Sequence, residues 1–261
     1  MRTLSHAHDQ AAGLRRMLVR PGMRVLPIVS VLPRPEQASL CLGLATALAQ
    51  LGHRTLILDA SRGDVAAALG LGPRFELLQL LQGEKQFRDV VLDTPGGVRL
   101  VPAARGIQSM ANADDAGWRE LFGAFSALSD PPDHLLLNCM PGEAHAACRA
   151  AHEGHEVILA LDSSPEGVTA AYALIKAALR ADGQWRFRLL FADAPPGFDP
   201  APLCERMTAA ARRFLGAELL GGGVLPRHEP AAYLSVAGRI AGWSLPEFPC
   251  PAGAFSPRAI A

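Results

Sequence analysis

The segment Val31-Leu32-Pro33-Arg34-Pro35-Glu36-Gln37-Ala38-Ser39 joins an apolar run, Met23 to Ser30, to a helical run that starts near Glu36. A loop that opens a helix in this way holds polyphosphate by aiming successive backbone N–H groups at the anion; glycine allows the tight curvature and lysine neutralises the charge. Here Pro33 and Pro35 each remove a donor. Glu36 adds a negative charge, which at ~4 Å from a phosphate costs about 1–4 kcal/mol. Gln37 brings no charge to offset it, and Arg34 stands at the wrong place in the loop to restore the amide geometry. As it stands, the loop is not expected to hold phosphate. Two further polar residues close strand-like runs: Asp59 ends Arg54 to Asp59, with Ser61 two residues on, and Asn138 follows His134 to Leu137. An amide lacks the affinity of a carboxylate for hard cations, so Asp59 and Asn138 are read as strand-end residues that cap or turn the chain.

Other residues point to packing. His6, His8, His145, His152 and His155 are residue types that bind metal, but His152 and His155, one helical turn apart, read as a surface pair near a helix end. The five cysteines, Cys41, Cys139, Cys148, Cys204 and Cys250, form no C-x-x-C pair and no cluster at metal-ligand spacing, and read as reduced, mostly packed thiols. Trp118, Phe122 and Phe125 have the spacing of a core-facing helix stripe. Gly221-Gly222-Gly223 has no Lys-Ser/Thr behind it and reads as a turn entering a final short strand.

The elements that must position these residues alternate along the chain. Buried-strand runs occur at Met23 to Ser30, Arg54 to Asp59, Val98 to Pro102, His134 to Leu137, Val157 to Leu161 and Phe187 to Phe191, with helical segments between them. The first helix, Glu36 to Leu51, carries Leu40, Leu44, Ala45 and Leu48 and is stopped by Gly52. Alternation of this length predicts an α/β fold, a doubly wound and mostly parallel sheet flanked by helices. Ligands of such sheets bind beyond the carboxyl ends of the strands, which directs attention to the residues after Ser30, Asp59, Leu137 and Leu161. The chain divides into a polar arm, 1–21, with a short DQAAGLRR helix; an α/β domain, 22–244; and a proline-rich tail, 245–261, expected to be irregular.

The 261 residues are 49% hydrophobic and formally neutral. Neutrality offers no general drive toward nucleic acid. The first residues lack an apolar signal core, and no apolar run approaches the ~18 residues of a membrane span; a cytoplasmic location is expected.

The stretch Met23 to Asp59 resembles, without a gap, the opening of MinD/ParA ATPases, in which a strand ends in Ser-Gly-Lys-Gly-Gly-Val-Gly-Lys-Thr-Thr and a second strand closes on Asp-Ala-Asp. Leu32 takes the place of the signature lysine, Pro33 and Arg34 of two glycines, and Glu36 of the last glycine. Gln37 replaces the phosphate-binding lysine and Ala38 the magnesium-binding threonine, while Ser39 stays close in kind. Asp59 is retained, Ser61 replaces the second aspartate, and Asn138 replaces the aspartate of the magnesium shell. ATP and magnesium serve the family; with these replacements, none is expected to serve here. Ala192-Asp193 stands where the family has an Asn-Arg pair at the nucleotide base.

Two segments are similar to the flagellar-number regulators of the FlhG (FleN) class. They are LGLGPRFELLQLLQGEKQFRDVV followed by GGVRLVPAARGIQSM, and Ser164-Pro165-Glu166 followed by Ala170-Ala171-Tyr172-Ala173-Leu174-Ile175-Lys176. The arm resembles the Asp-Gln-Ala-x-x-Leu-Arg helix that, in that class, docks on the signal-recognition-type GTPase FlhF and stimulates its GTP hydrolysis. The resemblance implies partner contacts by Asp9, Gln10, Leu14 and Arg15, with Gln10 reaching the GTPase site. It also admits basal-body or transcriptional-regulator partners. The class ends in a membrane-binding amphipathic helix, whereas GWSLPEFPCPAGAFSPRAIA is broken by prolines, so no stable membrane binding is expected. Leu32 in place of the cross-dimer lysine argues against an ATP-sandwiched homodimer. The implied function is regulation of flagellar number or placement by a pseudo-ATPase. The alternatives are a divergent active ATPase in the same role and a ParA-like accessory protein of another system, such as cellulose synthesis.

Overall fold

The computed structural model describes residues 22–141, 156–181, 186–226, 229–243 and 247–248. The arm with Asp9, Gln10, Leu14 and Arg15 lies outside the described residues, as do His6, His8, His145, His152, His155, Cys148 and Cys250.

The strands are β1 (Met23–Ser30), β2 (Thr55–Asp59), β3 (Leu92–Asp93), β4 (Val98–Pro102), β5 (His134–Cys139), β6 (Glu156–Leu161), β7 (Arg186–Ala194), β8 (Glu218–Pro226) and β9 (Glu247–Phe248). The helices are α1 (Arg34–Gln50), α2 (Asp64–Ala68), α3 (Leu77–Leu81), α4 (Phe87–Val90), α5 (Ala104–Ser109), α6 (Asp115–Ser126), α7 (Pro165–Ala181), α8 (Ala201–Leu215) and α9 (Pro230–Gly242). One sheet runs in the order β3-β4-β2-β5-β1-β6-β7-β8, with β9 joined to β1. It is parallel except where β3 meets β4 and where β9 meets β1. The predicted doubly wound sheet is therefore present, and β1, β2 and β5 lie side by side at its centre, in the register Ile28↔Asn138 and Asp59↔Asn138.

Alternation along the central strands sends Leu56, Leu58, Leu135 and Leu137 to one apolar layer and Ile57, Leu136, Leu26 and Ile28 to the other. Trp118, Phe122 and Phe125 fill the first layer from α6, as their spacing predicts. In α1, Leu40, Cys41, Leu44 and Leu48 are buried in the second; each fully buried leucine contributes about 1.5–3 kcal/mol. Pro35 lies in the first turn of α1, where its missing N–H costs no helical bond. Gly52, at φ +90°, ends the helix in the left-handed conformation that glycine adopts without strain. Burial pushes the Cys41 thiol well above its usual range, helped by the Asp59 charge, so Cys41 is an inert packed thiol.

Two expectations need correction. The tail is not irregular throughout: Glu247 and Phe248 pair with Arg24 and Met23. The reason is a free edge, since β6 joins β1 only from Ile28 onward. Arg24 donates to Asp133 toward β5 and Val31 donates to Ala160 toward β6. By strand alternation the nitrogen of Pro27 faces the β6 side just below that junction, where its missing N–H breaks no ladder bond. The triple glycine does not turn the chain into a strand; it lies inside β8. The register slips there, Leu189↔Gly221 being followed by Leu190↔Gly223. A Cβ on Gly222 would sit 2.8 Å from the Leu189 carbonyl oxygen, so only glycine fits this bulge.

His134, at the start of β5, is 2% exposed, and neither ring nitrogen has a hydrogen-bond partner. Its ring meets that of His53 edge-on at 4.8 Å. Burial pushes its pKa down to about 4, with the neighbouring His53 and Arg24 charges adding to the effect and Asp133 opposing it. A histidine held neutral when folded costs nothing above pH ~6.5; as the pH falls toward 4 the unfolded chain takes up a proton that the folded chain refuses, a loss of up to about 3 kcal/mol. His134→Leu is therefore expected to leave stability at pH 7 within about 1 kcal/mol and to gain about 2–3 kcal/mol relative to the parent at pH 4.5, read by urea unfolding at both values. Equal shifts at the two pH values would show that the ring is solvated.

Candidate functional site

The carboxyl ends of β1, β2 and β5 bring together residues 101 positions apart in sequence. Gln37, in the first turn of α1, is 1% exposed, and its Nε2 donates to Asn138 Oδ1 and to the Cys139 carbonyl, both at 2.8 Å. Asn138, fully buried, passes the connection on: its Nδ2 donates to Asp59 Oδ1 at 2.9 Å. Asp59, 1% exposed, also accepts from Ser61 N at 3.0 Å, from Ser61 Oγ at 2.5 Å and from Val65 N at 3.3 Å. The chain Gln37–Asn138–Asp59–Ser61 is thus a continuous buried polar network. A buried carboxylate without a counter-ion must be held by hydrogen bonds, and four donors converge on this one. Gln37 Oε1 is the unpaired atom of the group.

Arg34 turns away from the loop. Its Nε and Nη2 meet the Asp64 carboxylate at 2.8 and 3.0 Å, and Nη2 also donates to the Ser61 carbonyl at 2.9 Å. The Asp64 side chain, as hydrogen-bond partner and as charge, raises the Arg34 pKa further, so the guanidinium stays charged. Asp59 from inside and Arg34 from outside therefore clamp the turn from Ala60 to Asp64.

The amides of the Leu32 to Ser39 loop are largely spoken for. Val31 N donates to the Ala160 carbonyl, Leu32 N to Ser30 Oγ and Gln37 N to the Pro33 carbonyl, while Pro33 and Pro35 have no N–H. Leu32 is packed in the core at 7% exposure, and Ala38 is buried. Ser39 Oγ donates to the Pro35 carbonyl at 2.9 Å, back along its own helix. Beside the loop a cavity of about 410 Å³ is lined by Glu36, Ser39, Asp193, Glu229 and Tyr233 over a floor that includes Leu32. Asp193 holds a left-handed φ of +52° at a slip between β7 and β8, the position matched to the nucleotide-base pair. The position matched to a phosphate lysine is an amide whose N–H groups are both used, and Glu36, Asp193 and Glu229 are among the residues that line the cavity.

The sequence places Leu32 to Ser39, Asp59, Ser61 and Asn138 at one end of the sheet, and the structure brings them together. Asp59 does turn the chain, through Ser61 and Val65. The part not foreseen is that Gln37 bonds Asn138 and that Arg34 pairs with Asp64. The register sets Asp59 and Asn138 side by side, but no local pattern in the sequence marks the Gln37–Asn138 or the Arg34–Asp64 contact.

No family model matches the chain. It is 34% identical over 236 residues to the antiactivator FleN of Pseudomonas aeruginosa, covering 82% of this chain and 84% of that protein. Among solved structures it is similar to MinD of Aquifex aeolicus in its complex with MinC, with a TM-score of 0.59 at 19% identity, covering 85% of this chain and 97% of the other. It is also similar to cobyrinic acid a,c-diamide synthase of Mycobacterium smegmatis with bound ADP and magnesium, with a TM-score of 0.60 at 16% identity over 86% and 98% of the two chains. The septum site-determining protein MinD of Pyrococcus horikoshii, complexed with Mg-ADP, gives 0.55 at 18% over 84% and 96%.

Proposed function

We propose, because this chain belongs to the FleN branch of the MinD/ParA ATPases, that it regulates flagellar number or placement as a scaffold without an ATP-driven switch. The observation that carries this reading is the buried network Gln37–Asn138–Asp59–Ser61, which uses for internal bonding the positions that the family devotes to phosphate and magnesium. A site whose donors already satisfy one another gains little by exchanging those bonds for a ligand's, and Glu36 at the mouth opposes an anion. In this reading the turn from Ala60 to Asp64 is held in one conformation and does not respond to nucleotide.

The partner contact is then made by the arm. Asp9, Gln10, Leu14 and Arg15 match the segment by which the class engages its FlhF-type GTPase. The FleN relative is named an antiactivator, and a transcriptional activator is accordingly the second partner class for this chain. Both contacts would be made in the cytoplasm. Among the described residues no helix is long and apolar enough to cross a membrane.

The test is GTP hydrolysis by the cognate FlhF-type GTPase with this protein and with Gln10→Ala, each with and without ATP. The expected result is stimulation that falls at least tenfold in Gln10→Ala, a loss of about 1.4 kcal/mol or more of transition-state stabilisation, and that is the same with or without ATP. Stimulation only with ATP would favour the divergent active ATPase, and none at all would remove the arm from the mechanism.

A further inference from the structure

The clamped turn presents a residue that the network does not use. Arg62 follows Ser61 with a φ of +61°, a left-handed conformation that non-glycine residues rarely adopt, and Gly63 follows at +94°. Such a conformation persists where the surroundings over-determine it, and here Asp59 and Arg34 fix the turn on both sides. Arg62 thereby stands at a cavity of about 690 Å³ beyond the carboxyl ends of β2 and β4, walled by Arg74, Phe75, Glu76, Arg105 and Ile107. This is the side on which open α/β sheets take ligands.

The charges of that wall can be sorted. Glu76 is committed to Arg105, accepting from its backbone N and its side chain, and Asp59 is committed to the network. Arg62 and Arg74 are exposed, and among the described residues their guanidinium groups have no hydrogen-bond or ion-pair partner. Two unpaired guanidiniums therefore flank a partly apolar hollow floored by Phe75 and Ile107. A polyphosphate would have to approach the two carboxylates already in the wall. A single carboxylate beside an apolar side chain matches the pair without excess charge, and the planar guanidinium fork suits it.

We propose that this cavity is a docking site for an acidic, partly apolar segment of a protein partner, with Arg62 and Arg74 receiving its carboxylate and Phe75 and Ile107 its neighbouring apolar side chain. This goes beyond the reading above, since it involves neither the arm nor the nucleotide loop. The strained Arg62 has a use in it, and so has the clamp, which acts as the positioning device for a partner-binding arginine.

The test uses the full chain and a fluorescein-labelled peptide of alternating glutamate and leucine, followed by fluorescence anisotropy. The controls are the same peptide with glutamine for glutamate, and the double variant Arg62→Gln/Arg74→Gln, whose melting temperature should stay near the parent's because both side chains are exposed. The glutamate peptide should bind, weaken at least tenfold in the double variant, weaken as much when its glutamates become glutamines, and weaken with added salt. No binding, equal binding of the two peptides, equal binding by parent and double variant, or displacement by millimolar ADP would each overturn the proposal. The GTPase assay varies Gln10 alone and the anisotropy assay Arg62 and Arg74 alone, so the two ideas fail separately.

Discussion

Asn138→Asp should cost about 3–5 kcal/mol of stability at neutral pH, although it restores the residue typical of the family. Asn138 Nδ2 lies 2.9 Å from Asp59 Oδ1, and both residues are almost wholly buried. The substitution turns a donor into a second acceptor and sets two carboxylates in contact, with no cation in the network to separate them. Arg34 cannot serve, because its guanidinium is engaged outside with Asp64 and the Ser61 carbonyl. One of the two carboxyls must then keep a proton to fold, so that proton is held to a higher pH in the folded chain than in the unfolded one. A raised folded value gives stability that is present at low pH and lost as the pH rises. The deficit of the variant should therefore be small near pH 4 and grow toward pH 8. Urea unfolding of parent and variant across that range reads it directly. A deficit independent of pH would mean that the pair is solvated, and improved stability in the presence of magnesium would mean that a cation site survives. Asn138→Leu, which removes the donor without adding charge, separates loss of the hydrogen bond from carboxylate repulsion.

The fold was legible because it rests on periodicity. Met23 to Ser30 and Val98 to Pro102 are strands with the bounds read from their apolar runs, and the Gly52 stop ends α1 where expected. What periodicity could not give was pairing that depends on where another strand begins. Glu247 and Phe248 join β1 only because β6 leaves that edge open below Ile28, a fact of register with no local signal. The glycines at 221–223 are ambiguous for a related reason: glycine marks both turns and bulges, and only the near contact of Gly222 with the Leu189 carbonyl decides between them. In the site, Leu32 to Ser39, Asp59, Ser61 and Asn138 were legible as residues at one end of the sheet. Their partners were not, because Gln37 and Asn138 meet through the sheet and across 101 residues. Each substitution viewed alone looks like a loss, whereas together they form one connected arrangement: an amide answers an amide, and the amide's own donors answer the remaining carboxylate.

That connectedness carries a second prediction, that Gln37→Lys and Asn138→Asp rescue each other. Gln37→Lys alone places an ammonium where Nε2 now donates to Asn138 Oδ1 and the Cys139 carbonyl. Neutral acceptors meet it there in a position 1% exposed, and the desolvation should cost about 2–4 kcal/mol. In the double variant the ammonium lies beside the new carboxylate, which relieves both the buried cation and the carboxylate pair. The double-mutant cycle should give a favourable coupling of about 1–3 kcal/mol, the range for residues in direct contact, and the pH dependence of the single Asn138→Asp variant should flatten. The double variant should still bind no Mg-ATP at micromolar concentrations by calorimetry, because Pro33 and Pro35 continue to withhold amides and Glu36 remains at the mouth. Micromolar Mg-ATP binding by the double variant would shift the decisive change from the loop backbone to two side chains. Coupling without binding would place it in the backbone, where no single side-chain reversion can undo it.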